Sequence, residues 1–241
     1  MGKGGTGKSM IAGTTARILA SRGHRVLALD IDTMPGLAFS LGLGVTDEGR
    51  LPEELAEKRE GEGWVMREPI AAAELVERYA IGGPDGLLYL QSGKFPGRLK
   101  PGSTAAFRHL MQGLAQTEWT VITDLAGGTR QPSFGWASSA SRIAVVAEPY
   151  AASMLAVRRL TKAAETAPQA EVGLIFNKTR NGGHMLRDTS LAVWAEVPYD
   201  DEVMRAERAG KAAFDVAPDS AAVQAVTDFV LHALKSEEAR K

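Results

Sequence analysis

The chain has 241 residues, 44% of them hydrophobic, and carries 28 basic against 29 acidic side chains for a formal net charge of −1. That supports one substantial core, a single domain over residues 1–241, and leaves no overall positive field to draw the protein onto nucleic acid or anionic lipid. Cysteine is absent, which excludes disulfides and thiolate metal sites. With no signal-like apolar run at the start and no 18-residue apolar span, a cytoplasmic protein is expected.

The first element is a loop. Residues 2–9, "GKGGTGKS", fit the pattern G-x-x-x-x-G-K-[ST] that wraps phosphate groups. Glycines at 2, 4, 5 and 7 permit a tight backbone path that aims consecutive N–H groups at phosphate oxygens, and the helix that follows adds the positive end of its dipole. Lys8 is placed to reach the β- and γ-phosphates, and Ser9 offers a hydroxyl to Mg²⁺, which prefers oxygen ligands. The candidate binding residues here are Gly2, Gly4, Gly5, Thr6, Gly7, Lys8, Ser9 and Met10. All four fixed positions of the pattern match, so a merely flexible glycine-rich terminus is the weaker reading.

A helix is predicted over Lys8 to Ala20, stopped by Arg22-Gly23, and then a strand over Arg25 to Asp30. The strand runs into "LALDIDTMPGL", where alternation puts Asp30 and Asp32 on one face at the end where sites in open α/β sheets collect. Charge density peaks in Asp47 to Glu62, read as a solvated helix or an excursion outside the core. Apolar runs follow at Gly86–Gln91, Trp119–Thr123, Arg142–Ala147, Val172–Phe176 and Ala192–Val197, mostly separated by helical stretches. This order predicts an α/β fold, a mostly parallel sheet with helices on both faces.

Two of those runs carry chemistry. "WTVITD" ends in Asp124, a carboxylate suited to an Mg²⁺-bound water, and the "LAGGTR" after it lets the next loop move with a γ-phosphate. Taken singly, each aspartate also suits a helix cap; together with the loop, Ser9, Asp32 and Asp124 form the metal side of a candidate nucleotide site. "NKTR" places Asn177 and Lys178 at a strand end, with Arg180 where a guanine-reading carboxylate would stand, so Asn177 is assigned to adenine. The last predicted helix, Ser220 to Leu234, spaces Val223, Val226, Val230 and Leu234 for packing, and its charged end "KSEEARK" lacks a basic polar face for a membrane.

"KGGTGKS", "DID", "DLAGG", "VVAEPYAASMLAVRRL", "IFNK" and "VPYDDEVMRAERAG" together resemble the MinD/ParA-type P-loop ATPases, most closely the branch of carbon-monoxide dehydrogenase maturation ATPases. The resemblance runs from Gly2 to about Gly210. It implies ATP and Mg²⁺ as cofactors, slow ATP hydrolysis, and a homodimer in the ATP state. Lys3 is its most specific element: the family's deviant phosphate loop has a lysine there that reaches the partner subunit's nucleotide. By the same resemblance Lys3, Lys8 and Asp32 are the catalytic residues, with Asp32 positioning the attacking water. Asp124 supports the metal, and Pro198, Tyr199 and Asp200 wall the base pocket, although "PYD" alone also suits a turn into a helix.

The sequence departs from that family in two places. "QSGKFPGRLKPGSTAAFRHLM" lacks the paired cysteines that join maturation-ATPase subunits through a metal, and His109 alone there does not make a soft-metal site. No transition metal is expected. The second departure is that only Met1 precedes the loop, so the buried central strand of such a fold is missing, leaving neighbouring strands with unpaired backbone and an apolar gap. The expectation is a polypeptide that starts late, with another segment or a partner chain in the slot as the alternative. Functionally, an ATP-dependent dimeric switch that assists maturation or cofactor loading of a client enzyme stands first. A partition- or positioning-type regulatory ATPase, or a nucleotide-binding scaffold without turnover, are the alternatives.

Overall fold

The computed structural model describes residues 5–32, 36–92, 100–125, 140–164, 169–180 and 191–239. Helix α1 (Lys8–Ser21) follows the glycine loop and leads to β1 (Val26–Asp30), which is buried along its whole length. A short α2 (Leu37–Leu41) comes next, then an antiparallel hairpin, β2 (Ala56–Arg59) and β3 (Gly63–Met66). Helix α3 (Ala72–Tyr79), β4 (Ile81–Gly82), β5 (Leu88–Gln91), α4 (Pro101–Gly113) and β6 (Thr120–Asp124) complete the first half. The second half holds β7 (Arg142–Ala147), α5 (Ala151–Ala164), β8 (Glu171–Thr179) and β9 (Ala192–Pro198). It closes with α6 (Asp201–Arg208), α7 (Ala213–Val216) and α8 (Ala221–Glu238).

The predicted helices at Lys8 and Ser220 form within a few residues of their expected bounds, and so do the five later strands. Asp47 to Glu62 is the exception: it builds loop, a single 3₁₀ turn at Glu53–Leu55 and the first strand of the hairpin, not an α-helix, and is an excursion in which β3 packs beside α4. Trp64 and Met66 share one face of β3, as the alternation of a strand requires, while Lys58 and Arg59 of β2 face water.

Among the described residues the main strands fall into two parallel groups, in the orders β4-β5-β1-β6 and β7-β8-β9, with β4 antiparallel at its edge. The groups share one layer. Leu27, Leu29 and Leu90 from the first join Val145, Leu174 and Phe176 from the second in a core cluster on one face. Ala28 and Tyr89 join Val146, Ile175 and Val197 beneath α1 and α8 on the other. Successive strand residues thus serve opposite faces, as a sheet covered on both sides requires.

Helix α1 is held by more than apolar packing. Gly13 lets it approach α2, since a Cβ there would lie 2.4 Å from that of Ser40. One turn on, buried Arg17 donates to the Leu41 carbonyl at 3.1 Å, pairs with Asp215 at 2.8 Å and Asp85 at 3.4 Å, and lies 5.0 Å above the Phe214 ring. One guanidinium joins α1, α2, α7 and the turn before β5. Arg17→Ala is expected to lose these charge-assisted bonds and the packing of the side-chain stem, destabilising the protein by about 2–3 kcal/mol. Urea unfolding measures this, and an unchanged midpoint would show that the joint is dispensable.

Candidate functional site

The loop at the head of α1 takes its shape from two glycines in the left-handed region, Gly5 at φ +82° and Gly7 at φ +83°. Gly7 is constrained a second way, because a Cβ there would sit 2.2 Å from Nδ2 of Asn177. That amide is buried and donates to the Thr6 carbonyl at 2.8 Å. The next residue, Lys178, adopts φ +57° and its ammonium donates to the Gly5 carbonyl at 2.9 Å while pairing with Glu148 at 3.3 Å. Two successive loop carbonyls are therefore pinned by the end of β8, leaving the loop's N–H groups to face the other way.

The other half-sheet supplies the carboxylates. Asp30 and Asp124 are register partners at the ends of β1 and β6, and both are buried. Asp30 accepts from the backbone N–H of Asp32 and of Leu37, each at 3.0 Å, and so shapes the turn that carries Asp32. Burial pushes the Asp30 carboxyl up to about 7, and the neighbouring charge of Asp124 adds to the rise. Burial likewise raises Asp124, opposed by the Ser9 hydroxyl, which donates to its Oδ2 at 2.5 Å, and by the charge of Lys8. Packed carboxylates of raised pKa, with a hydroxyl already aligned on one of them, favour a cation between protein and ligand.

Of the residues singled out in the sequence, Gly5, Thr6, Gly7, Lys8, Ser9, Asp32, Asp124, Asn177 and Lys178 come together around this loop. Gly2, Lys3 and Gly4 lie outside the described residues. Met10 points into the core beneath α1, where the Thr14 hydroxyl rests on its sulfur at 3.7 Å. Pro198 ends β9, and Asp200 caps α6 by accepting from Glu202 N–H at 2.9 Å. Between them Tyr199 donates its N–H to Thr179 and carries the Arg180 guanidinium 3.8 Å above its ring. That stack stands beside the Asn177 strand end, so position 180 presents a cation and an aromatic face, not a carboxylate.

Sequence reasoning missed Glu148, which acts through the distant Lys178, and Asp30's grip on the Leu37 N–H, which no motif between them marks. His109 bonds the Ile70 carbonyl through Nε2 at 2.7 Å. Among the described residues no three His, Cys, Asp or Glu side chains converge as a protein-only metal cage. The Ser9 hydroxyl beside the Asp124 carboxylate is an all-oxygen donor set, the kind that would suit Mg²⁺ alongside a bound phosphate. Nor, among those residues, is any helix long and apolar enough to cross a membrane.

A parallel sheet, a glycine loop entering a helix, and carboxylates at the neighbouring strand ends define a P-loop nucleotide-binding protein. The chain belongs to the family described as CobQ/CobB/MinD/ParA nucleotide binding domain, which matches residues 1–214. It is 28% identical over 229 residues to an uncharacterized ATP-binding protein of Methanocaldococcus jannaschii, covering 87% of this chain and 88% of that one. It is 25% identical over 239 residues to the carbon monoxide dehydrogenase accessory protein CooC of Rhodospirillum rubrum, covering 90% and 89%. The fold is shared with the septum site-determining protein MinD of Pyrococcus horikoshii, solved with Mg-ADP, at a TM-score of 0.76, 18% identity and coverage of 100% and 96%. It is shared also with a ParA family ATPase of Chlorobium tepidum at 0.71, 19% identity and coverage of 95% of each chain.

The brace from Asn177 acts on the loop whatever base is bound. Asn177→Ala is therefore expected to weaken GDP as well as ADP, by roughly tenfold or more for one lost buried hydrogen bond. Calorimetric titration with both nucleotides tests this; a loss confined to the adenine nucleotide would assign the side chain to base reading alone.

Proposed function

We propose that this protein is an ATP-binding, slowly hydrolysing dimeric switch that assists maturation or cofactor loading of a client enzyme. The observation that carries the ATPase part is the pairing of Ser9 with Asp124 directly behind the pinned loop, a ready arrangement for a phosphate-bound Mg²⁺. The likeness to CooC supports the maturation part. In this reading Thr6, Gly7 and the α1 N-terminus bind phosphate, and Lys8 neutralises its charge. Bound Mg²⁺ supplies electrostatic stabilisation of the phosphoryl group. Asp32, on the turn held by Asp30, orients the attacking water. Lys3 acts across the dimer, as an arginine finger does. Asn177, Lys178 and the Pro198–Asp200 turn frame an adenine.

The roles separate experimentally. Lys8→Ala is expected to weaken ATP binding itself. Asp32→Ala should leave binding and ATP-dependent dimerisation in place while slowing hydrolysis, and Lys3→Ala should cut turnover by up to ~10³-fold. Binding, dimerisation and phosphate release are measured separately on each variant. A Lys3→Ala protein that dimerises and hydrolyses normally would reduce the assignment to a general P-loop protein.

Adenine selection gives a second test. With Arg180 where guanine needs an acceptor for its two donors, GTP should displace bound ATP poorly in a competition assay. Competition on equal terms would refute the base assignment.

A further inference from the structure

Among the described residues only two that are not glycine hold a left-handed backbone, Asp85 and Lys178, each at φ +57°. Asp85 stands in an exposed turn, where aspartate adopts that conformation readily. Lys178 is a long side chain at the end of β8, where the same conformation costs stability and persists only if its surroundings over-determine it. Two contacts are what that backbone secures. The ammonium donates to the Gly5 carbonyl at 2.9 Å and pairs with the Glu148 carboxylate at 3.3 Å.

Glu148 follows the last residue of β7 and is itself held firmly. Its N–H donates to the buried Ser153 hydroxyl at 3.3 Å, its carbonyl accepts from the Tyr150 N–H at 2.8 Å, and Pro149 between them has a fixed φ. The side chain is only 13% exposed, and a carboxylate taken that far from water needs a partner. Lys178 is that partner. Glu207 on α6 feels the same charge at longer range than a salt bridge.

Beside a loop that binds phosphate, a carboxylate opposes the ligand by charge alone, so Glu148 must contribute something other than charge. Its contribution is geometric. An ammonium on a flexible four-carbon stem has many alternatives to one loop carbonyl, water and the phosphates among them, and a fixed counter-charge on its far side removes them. We infer that Glu148 is a positioning residue for the phosphate loop: through Lys178 it holds the Gly5 carbonyl toward β8, so that the loop's N–H groups stay aimed at phosphate. The assignment rests on the phosphate-loop reading and is independent of the base, of dimerisation and of any client. It makes the junction of β7 and α5 part of what shapes the loop.

Calorimetric titration with ADP and with tripolyphosphate, which has no base, separates loop shape from base reading. Glu148→Gln keeps the size of the side chain and removes a negative charge, which by charge alone would tighten both ligands slightly. The positioning role predicts the opposite sign: each ligand weakens by about fivefold, with the thermal midpoint within about 2 °C of the parent. Glu207→Gln, a control for charge, should weaken neither. Lys178→Asn retains a residue that accepts the left-handed backbone and loses the ammonium. It should weaken both ligands by roughly tenfold, and adding Glu148→Gln to it should weaken them no further. Unchanged or tighter binding by Glu148→Gln would overturn the inference, as would an equal loss in Glu207→Gln, additive losses in the double variant, or a loss confined to ADP. A parent chain that binds neither ligand overturns the phosphate-loop reading together with it. Should Glu148→Gln fail to fold, Lys178→Asn binding tripolyphosphate as tightly as the parent does overturns the inference alone.

Discussion

A phosphate loop works only if its backbone is held in one unusual shape, and this protein meets that constraint by gripping the loop from both sides. Asn177 and Lys178 hold the carbonyls of Thr6 and Gly5 from the end of β8, and Ser9 joins the first turn of α1 to Asp124 at the end of β6. The left-handed glycines make the path accessible, and these contacts select it. Carbonyls drawn toward β8 turn the N–H groups toward an anion, so binding chemistry follows from backbone geometry before any side chain touches ligand.

The same constraint explains the distribution of charge. Asp30 and Asp124 are costly in a buried sheet, and the cost shows as carboxyls pushed above their usual range. Asp30 is compensated by two backbone N–H groups, which makes it a structural anchor for the turn of Asp32. Asp124 is compensated by Ser9 and by the charge of Lys8, groups that a nucleotide with its metal would also engage. The first carboxylate shapes the site; the second is poised to exchange partners within it. Arg17 stabilises the base of α1 in a comparable way, at the end remote from the ligand.

Much of this was legible in the sequence because it rests on local signals. The glycine spacing, the apolar runs ending in Asp30 and Asp124, and the periodic valines of α8 each report a nearby backbone choice. The hairpin was not legible, because β2 reads as a charge run and its partner strand becomes apolar only at Trp64. Nor was the second duty of Asn177, whose contact to Thr6 spans most of the chain. No local pattern marks Arg17 as buried; the return of Asp215 beside it makes that burial tolerable. Asp200 caps α6, in keeping with the reading of "PYD" as a turn into a helix.

The central claim is that Ser9 and Asp124 receive a divalent cation together with the phosphates of a nucleotide bound at the loop. The most direct measurement is calorimetric titration of ADP into the protein with and without Mg²⁺, repeated on Ser9→Ala. The account predicts one site per chain whose affinity rises with Mg²⁺ in the parent protein, a rise largely lost in the variant. Binding that is absent, or equally tight in both proteins irrespective of Mg²⁺, would contradict it.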